Sequence, residues 1–268
     1  MTVFEALLLG VVQGLTEFLP ISSTAHLRVV PHFLGWPDPG AAFSAVVQLG
    51  TLLAVFIYFA GDIRQLIAAA IDSLRHRDLN HSNHARLAWS ILPGTLPIAV
   101  LGLAFQGFIE SDARSLQLIA TALILLGALL GVAERVGPQR RTMADLGFWH
   151  VQVIGLCQAL ALIPGCSRSG STIMGGLFIG LERAAAARFS FILGLPAIGA
   201  SGLLQLGYLI ETGIGGAGLV AVALGVGAAA VSGYLSIGFL LRFLATHRTD
   251  LFSAYRIVLG GVILLTIA

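Results

Sequence analysis

The segment FLPISST, residues 18–24, interrupts an otherwise apolar region that runs from residue 1 to residue 38. Proline cannot donate a backbone hydrogen bond and ends or kinks a helix, whereas serine and threonine favour the N-cap of a new helix. The segment therefore predicts a helical hairpin that turns at Pro20. A second apolar region, residues 146–181, is broken in the same way by IPGCSRS, residues 163–169.

The rest of the chain is too apolar for a soluble protein. Hydrophobic residues make up 57% of the 268 residues and charged residues only 10%, whereas soluble domains carry about 25% charged residues. The net charge of +2 argues against nucleic-acid binding, which needs a basic patch. Six stretches reach the roughly 20 apolar residues that a bilayer crossing needs. They are 41–60, 87–106, 116–134, 188–210, 218–241 and 252–268.

The linkers between these stretches differ in charge. Linkers 61–86, 135–145 and 242–251 are rich in arginine, whereas 107–115 and 211–217 carry acidic residues and at most one arginine. Basic linkers stay in the cytoplasm, so the first three are predicted inside and both termini outside. A single helix through either proline-broken region would conflict with this assignment. Each region is therefore predicted to be a re-entrant hairpin, whose broken backbone is surrounded by protein or a water-filled cavity.

The two hairpins resemble each other in sequence. The motif GxxQxL begins at Gly10 and recurs at Gly155, and after a one-residue deletion Ser23 aligns with Ser167. The spans that follow the hairpins share the dipeptide Phe-Ser, at Phe43 and at Phe189. These matches indicate an internal repeat.

Each repeat, approximately 1–134 and 146–268, contains one hairpin and three spans. Because three is an odd number, the second repeat enters from the opposite face of the membrane. Such inverted-topology repeats place the binding site near the bilayer midplane, where the broken helices meet. The predicted fold is a single all-α transmembrane domain, 1–268, with six transmembrane helices and two re-entrant helix hairpins.

Several polar residues fall at membrane depth, where ionisable groups are costly and functional by default. Glu17 ends the first hairpin helix, and Gln13 lies one turn earlier on the same face. Ser23 and His26 lie in the first turn of the next half-helix, and Arg168 opens the corresponding half-helix of the other hairpin. The sequence predicts one polar site from these residues.

This set of side chains indicates phosphoryl transfer. Helix N-termini and the planar fork of Arg168 both bind phosphate. A carboxylate such as Glu17 beside a phosphate calls for a bridging divalent cation, and Mg²⁺ typically binds between carboxylates and substrate phosphates. Ser23, within a turn of His26, supplies a nucleophile next to a base or general acid.

Structural alternatives stay open for each of these residues. Glu17 could be a helix-packing contact, and His26 could bond a backbone carbonyl or lie at the interface. Arg168 could be the structural ion-pair partner of Glu17, since breaking a buried pair is costly. Ser22 and Thr24 could be helix caps without a chemical role.

The segments QGLTEFLPISSTAH, residues 13–26, and PGCSRSGST, residues 164–172, resemble the two signatures of the undecaprenyl pyrophosphate phosphatase (bacitracin-resistance) family. The similarity includes AYR, residues 254–256. The resemblance implies hydrolysis of a C55-isoprenyl pyrophosphate lipid to its monophosphate at the outer face of the bacterial inner membrane, with a divalent cation (Mg²⁺ or Ca²⁺). It implies catalytic roles for four residues, Glu17, Ser23, His26 and Arg168. It also implies contacts with the pyrophosphate for Ser167, Ser169 and Thr172. Ser22 and Thr24 are expected to bind the substrate beside them.

One position departs from the family pattern. Many members carry glutamate where this chain has Gln13. A neutral amide is a poorer metal ligand than a carboxylate, so Gln13 is expected to be the weaker of the two metal ligands, Glu17 and Gln13.

A rival function comes from another class of protein. Inverted repeats with broken helices are typical of transporters, so a transporter or flippase of an isoprenyl phosphate lipid is the alternative. The combination of serine, histidine, arginine and carboxylate favours the enzyme. An oligomer is compatible with this pattern but is not predicted by it.

Overall fold

A computed structural model of the protein describes residues 1–212 and 218–267. In this part of the chain there are twelve α-helices and no β-strand. In chain order they are α1 (Val3–Phe18), α2 (Ser23–Leu34), α3 (Gly40–Tyr58), α4 (Ala60–Arg75), α5 (Asn83–Ala104), α6 (Gln106–Glu110), α7 (Leu116–Val136), α8 (Phe148–Ala159), α9 (Arg168–Phe178), α10 (Arg183–Thr212), α11 (Leu219–Thr246) and α12 (Asp250–Ile267). The predicted linker 211–217, with Glu211, falls almost entirely outside the described residues, as do the side chains of Glu110 and Asp112.

Six of these helices are long and apolar enough to cross a membrane: α3, α5, α7, α10, α11 and α12. Each overlaps one predicted span, so the prediction of an all-α protein with six transmembrane helices is confirmed. The observed ends differ by a few residues because capping groups, rather than hydropathy, set them. Helix α5, for example, begins earlier than predicted because the Ser82 side chain accepts a hydrogen bond from the backbone N–H of Ala85.

A helix also forms where only a linker was predicted. Helix α4 occupies much of 61–86, and its exposed apolar residues Ile67, Ile71 and Leu74 recur at helical spacing. Helix α4 has 16 residues and contains charged side chains, so it is too short and too polar to be a membrane-spanning helix. An amphipathic helix of this kind is typical of the membrane interface. The prediction of a plain linker was wrong here.

Each proline-broken region folds as a short helical hairpin. Helices α1 and α2 flank one turn, and α8 and α9 flank the other. The residues that cap α2 and α9, Ser22 and Ser167, adopt left-handed φ values of 73° and 67°. Their hydroxyls accept hydrogen bonds from the N–H groups of Ala25 and Gly170. Because non-glycine residues rarely adopt positive φ, this shared conformation is a specific feature of both turns.

The capping serines correct the alignment of the two halves. Ser22, and not Ser23, is the structural counterpart of Ser167, at the same offset of 145 residues that relates Gly10 to Gly155. No deletion is needed, because the polar residues after Pro20 can be aligned in more than one way and only the backbone conformation identifies the cap. Ser23 corresponds instead to the first helical residue of α9.

The first helix of each hairpin packs on a long helix of the other half. Helix α1 contacts α11 where Gly10 meets Gly225, and α8 contacts α5 where Gly155 meets Gly94. A Cβ atom on Gly10 or Gly155 would collide with the facing glycine's carbonyl oxygen. Small residues of this kind let membrane helices approach closely. An inverted repeat would produce this arrangement, in which the first hairpin helix of each half packs on a long helix of the other half. The inverted topology and the re-entrant course of the hairpins stay predictions.

The apolar core surrounds the hairpin turns. The ring of Phe18 packs edge-on against Phe191, with ring centroids 5.1 Å apart, and Phe59 packs on Phe191 at 6.1 Å. All three side chains are buried. Phe18 is the last residue of α1 and directly follows Glu17, so this aromatic packing fixes the end of the helix that carries Glu17.

Candidate active site

The carboxylate of Glu17 is the centre of a buried polar cluster. Its Oε1 accepts a hydrogen bond from Nη2 of Arg168 at 2.9 Å. Its Oε2 accepts one from the Ser23 hydroxyl at 2.5 Å and one from Nε2 of Gln13 at 2.9 Å. The structure therefore brings together Glu17, Ser23, Arg168 and Gln13, as the sequence predicts. Their catalytic and metal-binding roles stay predictions.

Local structure explains why these four side chains meet. Gln13 and Glu17 are separated by four residues in the last two turns of α1, so they share one face of that helix. Ser23 and Arg168 are the first residues of α2 and α9, each directly after a capping serine. The hydrogen bonds to Glu17 thus hold two helix N-termini next to one carboxylate. Helix N-termini carry partial positive charge and bind anions.

His26 lies outside this hydrogen-bond cluster. Its Nδ1 is 2.7 Å from the Ser22 carbonyl oxygen, and its Nε2 is 2.7 Å from the Tyr255 hydroxyl. Because a carbonyl oxygen can only accept, this geometry requires a proton on Nδ1, and a neutral ring would accept the Tyr255 proton at Nε2. The two rings are nearly parallel, with centroids 5.7 Å apart. In this structure the Ser23 hydroxyl donates to Glu17 and is not hydrogen-bonded to His26, so the predicted pairing of Ser23 with His26 stays a prediction.

The hydroxyls around the two caps form matched pairs. The Ser22 and Thr24 hydroxyl oxygens are 3.2 Å apart, as are those of Ser167 and Ser169. Ser169 also bonds the first hairpin, because its hydroxyl lies 3.0 Å from the carbonyl oxygen of Leu19 and can donate to it. These four hydroxyls thus line the turns that face each other. Their contact with pyrophosphate stays a prediction.

Thr172 is hydrogen-bonded to the backbone of Arg168. Its hydroxyl donates to the Arg168 carbonyl oxygen at 2.7 Å and contacts the Ser190 hydroxyl. The Ser190 carbonyl in turn accepts a hydrogen bond from Nη1 of Arg168 at 3.4 Å. Thr172 is fully buried, so its observed contacts support the arginine. Ser190 belongs to the repeated Phe-Ser dipeptide, which was the one sequence signal for its position.

Two neighbouring residues of α12 complete the surroundings of the site. Tyr255 bonds His26 as described, and Arg256, whose side chain is fully buried, donates to backbone carbonyls of both hairpin turns. The sequence predicted no role for either residue beyond the resemblance of the AYR segment. The one signal in the sequence was that Arg256 lies within a predicted span. A charge at membrane depth is costly and is functional by default.

Gln13 has one polar atom without a partner. The amide is fully buried, and among the described residues none hydrogen-bonds its Oε1. An unsatisfied buried acceptor costs about 1–3 kcal/mol. A carbonyl oxygen one helical turn from a carboxylate offers the oxygen ligands that Mg²⁺ and Ca²⁺ use. Gln13 and Glu17 therefore fit a divalent cation, with the amide as the weaker ligand.

Two arginines and one carboxylate cluster between α2 and α7. Nε of Arg28 lies 3.3 Å from Asp38, and Arg114 donates to both oxygens of the same carboxylate. Burial raises the pKa of Asp38, but the hydrogen bonds from Arg114 and from the Gly40 N–H, together with the charges of Arg114 and Arg28, outweigh burial and hold that pKa below its usual value. Asp38 is therefore ionised at neutral pH and ties its loop to Arg114. A cavity of about 540 Å³ lies beside this cluster.

Comparison of the sequence with known proteins identifies the family. The sequence profile of the family described as "Bacitracin resistance protein BacA" matches residues 6–262. A protein named undecaprenyl-diphosphatase from Chlorobium phaeobacteroides (strain BS1) is 50% identical and covers 100% of this chain and 98% of its own length. Proteins of the same name from Myxococcus xanthus (strain DK1622) and Synechococcus elongatus (strain ATCC 33912 / PCC 7942 / FACHB-805) are each 49% identical; they cover 98% and 99% of this chain and 89% and 93% of their own lengths. The match includes both hairpins and all six long helices, so the chain belongs to the bacitracin resistance protein BacA family.

Proposed function

We propose that this chain hydrolyses undecaprenyl pyrophosphate to undecaprenyl phosphate and phosphate. It is a membrane-embedded hydrolase, because relatives of that name are about half identical to it over the full chain. The single observation that carries the proposal is the convergence of Ser23 and Arg168 on the buried carboxylate of Glu17. The rival function, a lipid transporter, is not favoured by the names of these relatives.

In this proposal Arg168 and the two helix N-termini hold the pyrophosphate. The guanidinium has five N–H donors, and it donates hydrogen bonds to the Glu17 carboxylate and the Ser190 carbonyl. It can therefore grip a phosphate while it stays anchored to the protein. Ser22, Thr24, Ser167 and Ser169 would add hydroxyl donors around the same group, and Thr172 would keep Arg168 in place.

Ser23 is the proposed nucleophile. Its Oγ attacks the terminal phosphorus and the bridging P–O bond breaks, so undecaprenyl phosphate leaves. The Ser23 proton passes to Glu17, whose Oε2 is 2.5 Å away, and from Glu17 to the departing oxygen. Water then attacks the phosphoserine; one of its protons returns to Oγ and the other stays on the released phosphate.

His26 and the cation have supporting roles in the proposal. Once the Tyr255 hydroxyl is displaced, the Nε2 atom of His26 would be available to accept a proton from a water molecule. Glu17 and Gln13 would hold a divalent cation (Mg²⁺ or Ca²⁺). When bound, this cation would offset the negative charge of the pyrophosphate.

The location follows the same reasoning. The protein is a multi-pass membrane protein, with six helices long enough to cross a bilayer. We place it in the bacterial inner membrane with the site open toward the periplasm, because the arginine-rich linkers favour the cytoplasm. The isoprenoid chain would stay in the lipid while the head group enters between the hairpins.

The test is turnover of undecaprenyl pyrophosphate by purified protein in detergent micelles. Micelles have no second compartment, so a protein that only transports the lipid would give no product there. We expect wild-type protein to release phosphate from undecaprenyl pyrophosphate. The Ser23→Ala variant should bind a pyrophosphate analogue but show almost no turnover. The Ser22→Ala variant loses a helix cap and one of several hydroxyl donors, so it should keep a substantial fraction of the activity.

Two results would contradict parts of this proposal. No phosphate release by the wild-type protein would remove the hydrolase function. If Ser23→Ala kept more than about a tenth of the wild-type rate, its loss would be at most about 1.4 kcal/mol. That is the size of a lost helix cap, and the nucleophile would then be a water molecule activated at Glu17.

A further inference from the structure

Arg256 is a buried cation whose partners are all neutral backbone groups. Its side chain is fully buried in α12. Among the described residues no carboxylate lies within ion-pair distance of its guanidinium. Burying an unpaired charge is costly, and such residues in membrane proteins are functional by default. The contacts of this guanidinium therefore call for an explanation.

These contacts join the two hairpin turns. Nη1 donates to the Pro20 carbonyl at 3.3 Å, and Nη2 donates to the carbonyls of Gly165 and Cys166 at 3.0 and 2.9 Å. Pro20 lies two residues before the cap of α2, and Cys166 lies directly before the cap of α9. One planar group thus bonds both turns at the points where the half-helices begin.

We propose that Arg256 is the positioning residue that fixes the distance between the two half-helix N-termini. This inference rests on the proposed function, since Ser23 and Arg168 are the first residues of those half-helices. Their separation decides whether the nucleophile and the phosphate grip act on the same phosphorus. Arg256 contacts neither the nucleophile nor Glu17 in its observed hydrogen bonds, so it acts through the backbone.

Gly170 supports this assignment independently. A Cβ atom at position 170 would lie 2.5 Å from Nη1 of Arg256 and 3.1 Å from the Cβ of Ser167. The guanidinium, as the free end of a flexible side chain, would have to move. The atom displaced is the one that bonds Pro20. Gly170→Ala therefore breaks the link to the first hairpin while Arg256 itself is unchanged.

The Arg256→Lys variant tests whether the positive charge of Arg256 is enough, or whether its hydrogen bonds to both turns are needed. The lysine ammonium keeps the positive charge but has no planar fork that can reach both turns. We expect kcat in both Arg256→Lys and Gly170→Ala to fall about ten- to a hundredfold, the effect of a displacement of about 1 Å at a reacting centre. KM should change less than kcat, and the melting temperature should stay close to wild type.

The controls match each variant. Gly261→Ala, in the same helix as Arg256, adds a Cβ where nothing lies within 4 Å. Arg135→Lys changes an exposed arginine. Both should turn over like wild type. If Arg256→Lys and Gly170→Ala break the same bridge, the double variant should be no slower than the slower single variant, because the two effects are not additive.

A distance measurement tests the inference without turnover. Spin labels at Phe33 and Phe178, which are exposed at the far ends of α2 and α9, report the separation of the half-helices in a background with Cys157 and Cys166 replaced by alanine. We expect one narrow distance in wild type and the controls, and a shifted or broader distribution in Arg256→Lys and Gly170→Ala.

The outcomes separate this inference from the proposed function. An unchanged distance distribution in both variants overturns the inference, as does wild-type kcat in Arg256→Lys. A loss confined to KM would make Arg256 a phosphate ligand instead of a positioning residue. If wild-type protein shows no hydrolysis, the proposed function fails, and the distance measurement still decides the role of Arg256.

Discussion

Glu17 and Arg168 compensate each other's charge in the protein interior. Nη2 of Arg168 is 2.9 Å from Oε1 of Glu17, and the two side chains are only 10% and 5% exposed. The structural alternative for Arg168, an ion-pair partner, is therefore observed, and it is compatible with phosphate binding because a guanidinium has further donors. Removing either partner would leave an uncompensated buried charge, which is why the pair must be tested by conservative changes.

We expect Arg168→Lys to lose activity by about 2–4 kcal/mol of transition-state stabilisation, the magnitude typical of a key electrostatic donor. Lysine keeps the charge near Glu17 but loses the planar fork that grips a phosphate at two points. The measurement is the initial rate of phosphate release by the purified variant. Its melting temperature serves as the control for folding. Turnover near the wild-type rate would show that Arg168 does not bind phosphate with both of its terminal nitrogens.

At this scale the sequence predicted part of the site. Glu17, Ser23 and Arg168 stand out because they are polar residues in apolar segments next to proline, and the structure joins them. Tyr255 could not be paired with His26 from the sequence, because 229 residues separate them and no pattern links their helices. The sequence also could not show that the Ser23 hydroxyl bonds Glu17 instead of His26. Ser23 is closer to His26 in the chain, but the packing of the turn brings it to Glu17.

The helices show a similar division. Proline and serine predicted both hairpin turns, since proline breaks a helix and serine caps the next one. The left-handed conformation of Ser22 and Ser167 has no signal in the sequence, and the alignment of the halves was therefore one residue out. Helix α4 was missed because an interfacial helix is half polar, and a hydropathy window detects only helices that are apolar on all sides.

The contact between α1 and α11 depends on glycine. We expect Gly10→Ala to lower stability by about 1–3 kcal/mol, the usual cost of overpacking, because the new Cβ would meet the backbone of Gly225. A lower midpoint of thermal unfolding in detergent measures this effect. Gly227→Ala is the control in α11, since nothing lies within 4 Å of a Cβ there. Equal midpoints for both variants would mean that the close helix contact contributes little to stability.

The whole molecule has a sidedness that its charges predict. Loops 61–86, 135–145 and 242–251 hold much of the arginine, so we expect them inside and both termini outside. In a background without Cys157 and Cys166, an impermeant thiol reagent added from outside should label Ser111→Cys and leave Asp78→Cys unmodified. Detergent permeabilisation, after which both positions should react, is the control. Labelling of position 78 alone in intact cells would refute the inverted-hairpin topology.

The shared conformation of the two capping serines has a consequence for the origin of the site. Ser23 and Arg168 each follow a cap at the same offset of 145 residues, so they occupy one equivalent position in the two halves. If the halves descend from one ancestral gene, a symmetric dimer of that ancestor carried the same residue at both places. Only after duplication and fusion could this position become a nucleophile in one half and an anion-binding residue in the other. The asymmetry of the chemistry would then be younger than the symmetry of the fold.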